Sequence, residues 1–375
     1  MANLSFTFSA FLLLHHHLLF SSTISEAKTE HRSNDRVSSL FIFGDSFLDA
    51  GNNNYINTTT LDQANFLPYG ETYFRFPTGR FSDGRLLSDF IAEYANLPLI
   101  PTFLQPPGTH RNYSNGVNFA SAGAGALVET FKGFVIDLKT QVMYYKKVEN
   151  WLRCKLGNNE AKLTLSHAVY FFSIGTNDYI NPFLTNSTLL NSYSNSIHVE
   201  MVIANLTQVI HEIYKIGGRK FAFINLPALG CLPAMRILEP GNNGKCLEEA
   251  SNLASLHNKA LYKVLVEMEE KLKGFKYSLF DLETSLRQMM NHPSKYGMKE
   301  GKRACCGTGK YRGVFSCGGK RIVKKFELCK NPNEYVFWDS FHLTEMSYKQ
   351  MSFQMWAGDV STTIGPYNLN QLFHI

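Results

Sequence analysis

The sequence lacks the features that mark several large classes of protein. After residue 27, no stretch approaches the ~18 uninterrupted apolar residues expected of a membrane-spanning helix. It contains no P-loop, no dinucleotide-binding fingerprint, no HExxH metal motif and no GxSxG nucleophile elbow. No Ser/Gly/Pro-rich linker, internal repeat or low-complexity tract interrupts it. We therefore expect one globular domain without a membrane span, and its function must be sought in other motifs.

The basic residues form no pattern typical of a nucleic-acid partner. The formal net charge of the 375-residue chain is +6. Its basic clusters, such as Gly319-Lys320-Arg321 and Lys324-Lys325, are short and belong to no nucleic-acid motif. We interpret them as a solvated face and predict no nucleic-acid binding. A mild attraction to anionic cell-wall or membrane surfaces stays open.

Residues 1–27 are predicted to be a signal peptide. Their apolar core runs from about Phe11 to Phe20 and ends in small and polar residues, with a cleavage site at Ser25-Glu26-Ala27. The segment departs from the usual pattern because no Lys or Arg lies near its start, and the alternative is an ordinary buried N-terminal helix. The predicted mature domain is 28–375, and we expect it to be secreted.

The cysteines and glycosylation motifs agree with secretion. Of the seven cysteines, six lie in loop-like stretches of the second half and are predicted to pair, in a connectivity that stays open. Cys154 stands alone at a predicted helix end and is predicted to be the free thiol. Adjacent Cys305 and Cys306 do not fit a zinc site, and no metal is predicted. Predicted glycosylation sites are Asn57, Asn112, Asn186 and Asn205.

Short apolar runs alternate with helical patterns. Strands are predicted at Ser38–Phe43, Ala168–Ser173, Lys220–Leu226 and Tyr277–Asp281. Helices are predicted at Arg85–Asn96, Leu138–Leu156, Ile197–Ile216, Leu247–Lys273 and Thr344–Trp356. Near-continuous apolar strands indicate burial on both faces and hence a parallel sheet, and the alternation indicates a single α/β domain. The Gly-, Cys- and Lys-rich segment Arg303–Lys330 is predicted to be a long disulfide-tied loop.

Ser46 is the candidate nucleophile. It follows the first predicted strand in the sequence Phe43-Gly44-Asp45-Ser46, and sites in parallel α/β sheets form beyond the carboxyl ends of strands. Gly44 allows a tight turn that would present the hydroxyl to a cleft. A lone Gly-Asp-Ser is more often a structural turn, so the assignment depends on the segments that follow.

A serine hydroxyl needs an oriented base, and Asp339-Ser340-Phe341-His342 is the one compact candidate. An Asp three residues before a His in a loop can bring its carboxylate to the imidazole Nδ1, which leaves Nε2 facing the nucleophile. A simple turn is the alternative for such a pair by itself. The chain order of the triad is then Ser, Asp, His.

Two further segments can supply donors to an oxyanion. The segment 116–125, GVNFASAGAG, offers backbone N–H groups among small residues. The segment 173–179, SIGTNDY, follows a predicted buried strand and offers the side chain of Asn177. Each segment alone could be an ordinary turn between a strand and a helix.

Eight segments together carry a family resemblance. They occur in the order FIFGDSFLDAGNNN, LPYGETYF, FPTGRFSDGRLLSDFIA, GVNFASAGAGAL, FFSIGTNDYI, LPALGCLP, ACCGTGKYRGVFSCGG and NEYVFWDSFHLTE. Over nearly the whole mature chain, this series resembles the plant GDSL esterase/lipase family of SGNH hydrolases. The resemblance implies a three-layer α/β/α fold with a flavodoxin-like parallel sheet, no cofactor, and an extracellular place in the apoplast or cell wall.

The resemblance also implies a role for each site residue. Ser46 would be the nucleophile and would donate its backbone N–H to the oxyanion. Gly123 would donate a second backbone N–H, and Asn177 its side-chain amide. His342 would be the base, with Asp339 as its orienting partner.

The sequence departs from the family pattern at three positions. Phe47 stands where the family usually has Leu after the nucleophile. Leu343 stands where Pro usually follows the catalytic His, and Tyr348 lies near the place of a second His. These residues would alter loop rigidity or the shape of the acyl pocket.

The expected function is that of a secreted serine carboxylester hydrolase, an esterase or lipase, acting as a monomer on a small-molecule or lipid ester. Two alternatives remain at this stage. The same acyl-enzyme could pass its acyl group to an alcohol, which would make the protein an acyltransferase. The chain could also be a secreted binding glycoprotein with a silent site.

Overall fold

A six-stranded sheet forms the centre of the protein. The computed structural model describes residues 38–106, 112–185, 194–239, 241, 243–360 and 364–375. Its strands are β1 (Leu40–Gly44), β2 (Gly116–Asn118), β3 (Val169–Ser173), β4 (Lys220–Ile224), β5 (Lys276–Phe280) and β10 (Ile364–Pro366). Their order across the sheet is β2-β1-β3-β4-β5-β10. All neighbours pair in parallel except β10 and β5, which are antiparallel.

The apolar runs form the central strands because both of their faces are covered. Every residue of β1, β3 and β4 is buried. Aromatic rings stack across these strands, with centroids 4.9 Å apart for Phe43 and Phe172 and 5.3 Å apart for Phe172 and Phe223. The predicted α/β/α fold with a mainly parallel sheet is therefore confirmed.

Ten α-helices are present in the described part of the chain. They are α1 (Leu87–Tyr94), α2 (Leu138–Leu156), α3 (Asn158–His167), α4 (Thr176–Thr185), α5 (Asn195–Ile216), α6 (Pro233–Arg236), α7 (Glu248–Lys271), α8 (Leu282–Asn291), α9 (Glu345–Ala357) and α10 (Leu369–His374). All five predicted helices are present, within a few residues of their predicted ends. Among the described residues, no helix has the length and apolar character required to cross a membrane.

Two small sheets support the second half of the molecule. Strand β6 (Glu300–Ala304) pairs with β9 (Tyr335–Phe337), and β7 (Cys306–Gly307) pairs with β8 (Glu327–Leu328). Disulfides join Cys305 to Cys329, Cys306 to Cys317 and Cys231 to Cys246. The predicted disulfide-tied loop is therefore confirmed, and Cys154 is a free, exposed thiol as predicted.

The interpretation of the basic cluster as a solvated face is wrong for Arg321. Lys320, Lys324 and Lys325 are exposed, but the Arg321 side chain is buried with only 1% of its surface accessible. The guanidinium lies 3.7 Å from the centre of the Phe315 ring and donates to the backbone carbonyl oxygens of Thr60 and Gln63. These contacts compensate for the water that a buried cation loses.

Candidate active site

The turn after β1 presents Ser46 at the carboxyl end of the sheet. Gly44 adopts φ +150, and a Cβ at this position would lie 2.1 Å from the carbonyl oxygen of Ser173 on the neighbouring strand. Glycine therefore lets β1 and β3 stay paired to their ends. Gln141 of α2 then bonds both the N–H and the C=O of Gly44, each at 2.9 Å.

Ser46, His342 and Asp339 form a continuous hydrogen-bonded chain. The Nε2 atom of His342 lies 2.8 Å from the Ser46 hydroxyl oxygen. Its Nδ1 atom lies 2.8 Å from Oδ1 of Asp339 and 3.0 Å from Oδ2. Because a carboxylate only accepts, Nδ1 carries the proton and Nε2 is left to accept from the serine. The loop after β9 thus brings the predicted acid and base to the predicted nucleophile, 296 residues away in sequence.

Asp339 is buried yet held in its charged form. Burial raises the pKa of this carboxyl, but electrostatic attraction to the His342 ring and the hydrogen bond from its Nδ1 oppose that effect. The Phe341 amide and the Tyr69 hydroxyl also donate to Asp339, and the resulting pKa is about 2. The carboxylate is therefore available to orient the imidazole throughout the neutral pH range.

Tyr69 and Arg321 extend this chain behind Asp339, and sequence reasoning missed both. The Tyr69 hydroxyl lies 2.7 Å from Oδ2 of Asp339, and Nη2 of Arg321 lies 2.8 Å from the same hydroxyl. No local signal marks either residue, because they reach the site from two loops 252 residues apart.

The groups predicted to hold an oxyanion line the same cavity as Ser46 and His342. Gly123 lies in the loop after β2, and Asn177 lies in the first turn of α4, after β3. The Asn177 Nδ2 atom donates one bond to the Ala124 carbonyl at 2.9 Å, which leaves its second hydrogen for another acceptor. Among the described residues, neither the Ser46 nor the Gly123 amide donates to a protein acceptor.

Acidic and amide side chains from two segments, one just after Ser46 and one at the start of α4, hold the loop that contains Gly123. Asp49 accepts from the Ala122 amide at 2.9 Å, and the Asn53 side chain donates to the Ala122 carbonyl at 2.9 Å. Asp178 accepts from the amides of Ala126 and Leu127. Sequence analysis assigned these residues no role. A high density of Asp and Asn after a turn is nevertheless a usable signal, because these side chains often form hydrogen bonds with loop backbone.

A second carboxyl lies beside the groups that are predicted to hold an oxyanion. Asp62 lines the cavity, and a Cβ built on Gly123 would lie 2.5 Å from its Oδ1. Its Oδ2 accepts from the Thr59 hydroxyl at 2.9 Å. Burial raises the pKa of Asp62 to about 6, against the lowering effects of the Thr59 bond and the Arg321 charge. Sequence analysis did not single out Asp62.

The cavity itself is mainly apolar, with a volume of about 170 Å³. Apolar side chains that line it include Leu61, Phe81, Ile180, Leu232 and Phe341. Phe47, one of the departures from the family pattern, also lines it, and its ring centre lies 6.1 Å from that of His342 and 5.9 Å from that of Tyr348. Two of the three departures therefore pack together next to the site, and one of them, Phe47, lines the cavity.

The predicted glycosylation sites that the structure describes are not among the residues that line this cavity. Asn57, Asn112 and Asn205 are exposed, as glycosylation requires, whereas Asn186 lies outside the described residues, as does the predicted leader 1–27. Among the residues that the structure describes, no group of three or more His, Cys, Asp or Glu is arranged to hold a metal ion.

Comparison with known proteins gives a single family. The sequence profile described as GDSL-like Lipase/Acylhydrolase matches residues 40–354. GDSL esterase/lipase 5 of Arabidopsis thaliana is 61% identical over 368 residues, which cover 97% of this chain and 95% of that protein. GDSL lipase of Tanacetum cinerariifolium is 47% identical over 341 residues, covering 91% and 89%. Inactive GDSL esterase/lipase-like protein 25 of A. thaliana is 36% identical over 364 residues, covering 96% and 77%. With this match along its length and an α/β/α fold, the chain belongs to the plant GDSL esterase/lipase family.

Proposed function

We propose that this protein is a secreted serine carboxylester hydrolase, an esterase or lipase, that cleaves acyl esters through an acyl-Ser46 intermediate. The observation that carries the proposal is the chain from Asp339 through His342 to Ser46, with 2.8 Å between Nε2 and the serine oxygen. This chain opens on a mainly apolar cavity that suits an acyl group. Membership of an esterase/lipase family supports the same chemistry.

The proposed reaction has two halves. His342 takes the Ser46 proton as the hydroxyl oxygen attacks the ester carbonyl, and Asp339 stabilises the imidazolium that forms. The tetrahedral intermediate collapses when His342 returns the proton to the leaving alcohol. Water, activated by the same imidazole, then attacks the acyl-enzyme and releases the acid and free Ser46.

The negative charge of the tetrahedral intermediate requires preorganised donors. The Ser46 and Gly123 amides and the Asn177 side chain are proposed to supply them. Because each lies on a different loop at the carboxyl edge of the sheet, the fold holds them in place before substrate arrives. Loss of one donor costs roughly 10²–10³ in kcat in related acyl-transfer sites.

Ser46→Ala tests the proposal. We expect the folded variant to lose p-nitrophenyl ester hydrolysis and to lose labelling by a fluorophosphonate probe, because no other hydroxyl is bonded to His342 among the described residues. Ser39→Ala is the matched control, since Ser39 is a buried serine whose hydroxyl bonds the Ser114 carbonyl instead. Turnover at the wild-type rate in Ser46→Ala would refute the assignment.

The same probe separates enzyme from binding protein, an alternative that one relative named inactive makes worth testing. A protein with a silent site would give no Ser46 adduct. Product analysis with added alcohols would then distinguish a hydrolase from an acyltransferase, since a new ester forms only in the second case.

We also propose that residues 1–27 are removed as a signal peptide and that 28–375 is the mature domain. Three disulfides support an oxidising compartment, because such bonds are rare in reducing ones. The exposed sequons support passage through the secretory pathway. A monomer in the apoplast or cell wall is the proposed working form.

A further inference from the structure

Donors other than the His342 imidazole hold both carboxylate oxygens of Asp339. Its Oδ1 accepts from the backbone amides of Phe341 at 2.9 Å and His342 at 2.8 Å. Its Oδ2 accepts from the Tyr69 hydroxyl at 2.7 Å. Because both oxygens are held by donors other than the imidazole, the carboxyl cannot rotate without breaking a buried hydrogen bond.

The direction of the Tyr69 bond follows from its other partner. Arg321 Nη2 lies 2.8 Å from the same hydroxyl oxygen, and a guanidinium can only donate. The hydroxyl therefore accepts from Arg321 and directs its own hydrogen to Asp339. The positive charge polarises the O–H bond, which strengthens the donation.

Ion pairing within the described residues does not explain the buried position of Arg321. In the described part of the chain, no carboxylate forms an ion pair with this buried guanidinium. Its charge is held instead by the backbone carbonyls of Thr60 and Gln63, by the Phe315 ring and by the Tyr69 hydroxyl. The loop closed by the Cys305–Cys329 disulfide places this cation within hydrogen-bond distance of the Tyr69 hydroxyl.

We propose that Tyr69 and Arg321 are positioning residues of the active site. Arg321 orients the Tyr69 hydroxyl, which fixes Oδ2 of Asp339 and thereby keeps the His342 ring aimed at Ser46. The inference rests on the proposed function of Ser46, His342 and Asp339. Neither Tyr69 nor Arg321 is among the residues that line the cavity, so both act through Asp339 and not on the substrate.

Tyr69→Phe is the primary test, because it removes the hydroxyl and keeps the ring that packs against Phe81 and Trp338. We expect kcat for a p-nitrophenyl ester to fall about 10- to 100-fold through misorientation of the base, while KM changes less than about twofold. Tyr145→Phe is the matched control, since it removes another fully buried hydroxyl, which bonds Tyr170 at 2.9 Å in the core. The control should retain wild-type kcat.

A double-mutant cycle distinguishes positioning from packing. If Tyr69 acts through the Asp339 carboxylate, Tyr69→Phe should slow fluorophosphonate labelling about 10-fold or more in the wild type but less than about twofold in an Asp339→Asn background. The same loss in both backgrounds would overturn the proposal. So would an unchanged kcat in folded Tyr69→Phe.

Arg321→Lys adds a second arm. Lysine keeps the charge but cannot reach the two carbonyls and the Tyr69 hydroxyl with one ammonium group, so we expect a loss of kcat between those of wild type and Tyr69→Phe. Lys320→Met, at the exposed neighbour, should change nothing. Wild-type kcat in folded Arg321→Lys would remove Arg321 from the chain.

Failure of the proposed function would look different. In that case the wild type itself gives no Ser46 adduct and no ester hydrolysis. Failure of the positioning proposal instead leaves a labelled, active wild type whose rate is insensitive to the Tyr69 hydroxyl.

Discussion

Asp45 precedes the proposed nucleophile, and its side chain is buried. Burial raises its pKa from 3.8 to about 7, and the charges of Asp178 and Asp49 act in the same direction. One oxygen accepts from the Phe47 amide at 3.1 Å, and the other has no partner among the described residues. Below about pH 7, the neutral form of this side chain is therefore favoured in the folded state.

The pH dependence of the free energy of unfolding should differ between Asp45→Asn and the wild type, because the variant lacks the carboxyl with the raised pKa. Between the unfolded pKa of 3.8 and the folded pKa of about 7, only the folded state holds the proton, so the free energy of unfolding falls as pH rises. Each pH unit in that window costs about 1.4 kcal/mol. Relative to wild type, Asp45→Asn should gain up to about 3 kcal/mol between about pH 5 and pH 8, measured by denaturant unfolding. A stability difference between the variant and the wild type that stays the same from pH 5 to pH 8 would contradict the prediction.

Asp62 offers a second test at single-residue scale. Its carboxyl lies beside Gly123 and has a pKa of about 6, so it is mostly ionised at about pH 8 and mostly protonated at about pH 5. A negative charge here opposes the developing oxyanion. Asp62→Asn should therefore raise kcat on a neutral ester about three- to tenfold at pH 8, with little change at pH 5. An equal effect at both pH values would exclude a charge effect.

At the scale of elements, the turn that carries Ser46 depends on the conformation of Gly44 at the end of β1. Gly44→Ala would drive a methyl group into the Ser173 carbonyl and separate the ends of β1 and β3. We expect a loss of about 3 kcal/mol in unfolding free energy and a parallel loss of activity, because Ser46 shifts relative to His342.

The control for Gly44→Ala is Gly365→Ala. Nothing lies within 4 Å of a Cβ added at Gly365, so that variant should be close to wild type in both stability and activity. If Gly44→Ala unfolds at the wild-type midpoint, the paired ends of β1 and β3 are less rigid than the structure indicates.

Elements also show where sequence patterns fail. The apolar strands and the long helices were predictable because their periodicity is local. Helix α4 was missed, since Pro182 lies inside it and polar residues fill its first turn. Strand β2 was missed because its three residues, one of them Gly116, carry no alternation. Tertiary contacts, not propensity, hold both elements in place.

For the whole molecule, secretion is the testable property. Expressed in eukaryotic secretory cells, the full chain should leave the cell with its N-terminus at Lys28 and with glycans on the exposed residues Asn57, Asn112 and Asn205. Terminal sequencing and mass loss on deglycosylation would measure this, and light scattering would test the monomer. Retention in the cytosol with residues 1–27 attached would refute the proposal.

The sequence by itself determined the chemistry available to this protein. The alternation of strands and helices predicted the α/β fold, a serine after a buried strand and an Asp-x-x-His loop made Ser46, Asp339 and His342 site candidates, and a polar turn after another buried strand added Asn177. The family resemblance narrowed the segment 116–125 to Gly123. Such predictions can be made from sequence because a strand, a turn and an i,i+3 pair are local features.

Only the tertiary structure decided what surrounds those residues. It closed the 2.8 Å bond between His342 and Ser46, placed Asp62 beside Gly123, and buried Arg321 where its basic neighbours indicated solvent. The physical reason is that burial and charge at the site come from loops far apart in sequence. Their meeting depends on the packing of the sheet and the disulfide-tied loop, and no local pattern encodes that distance.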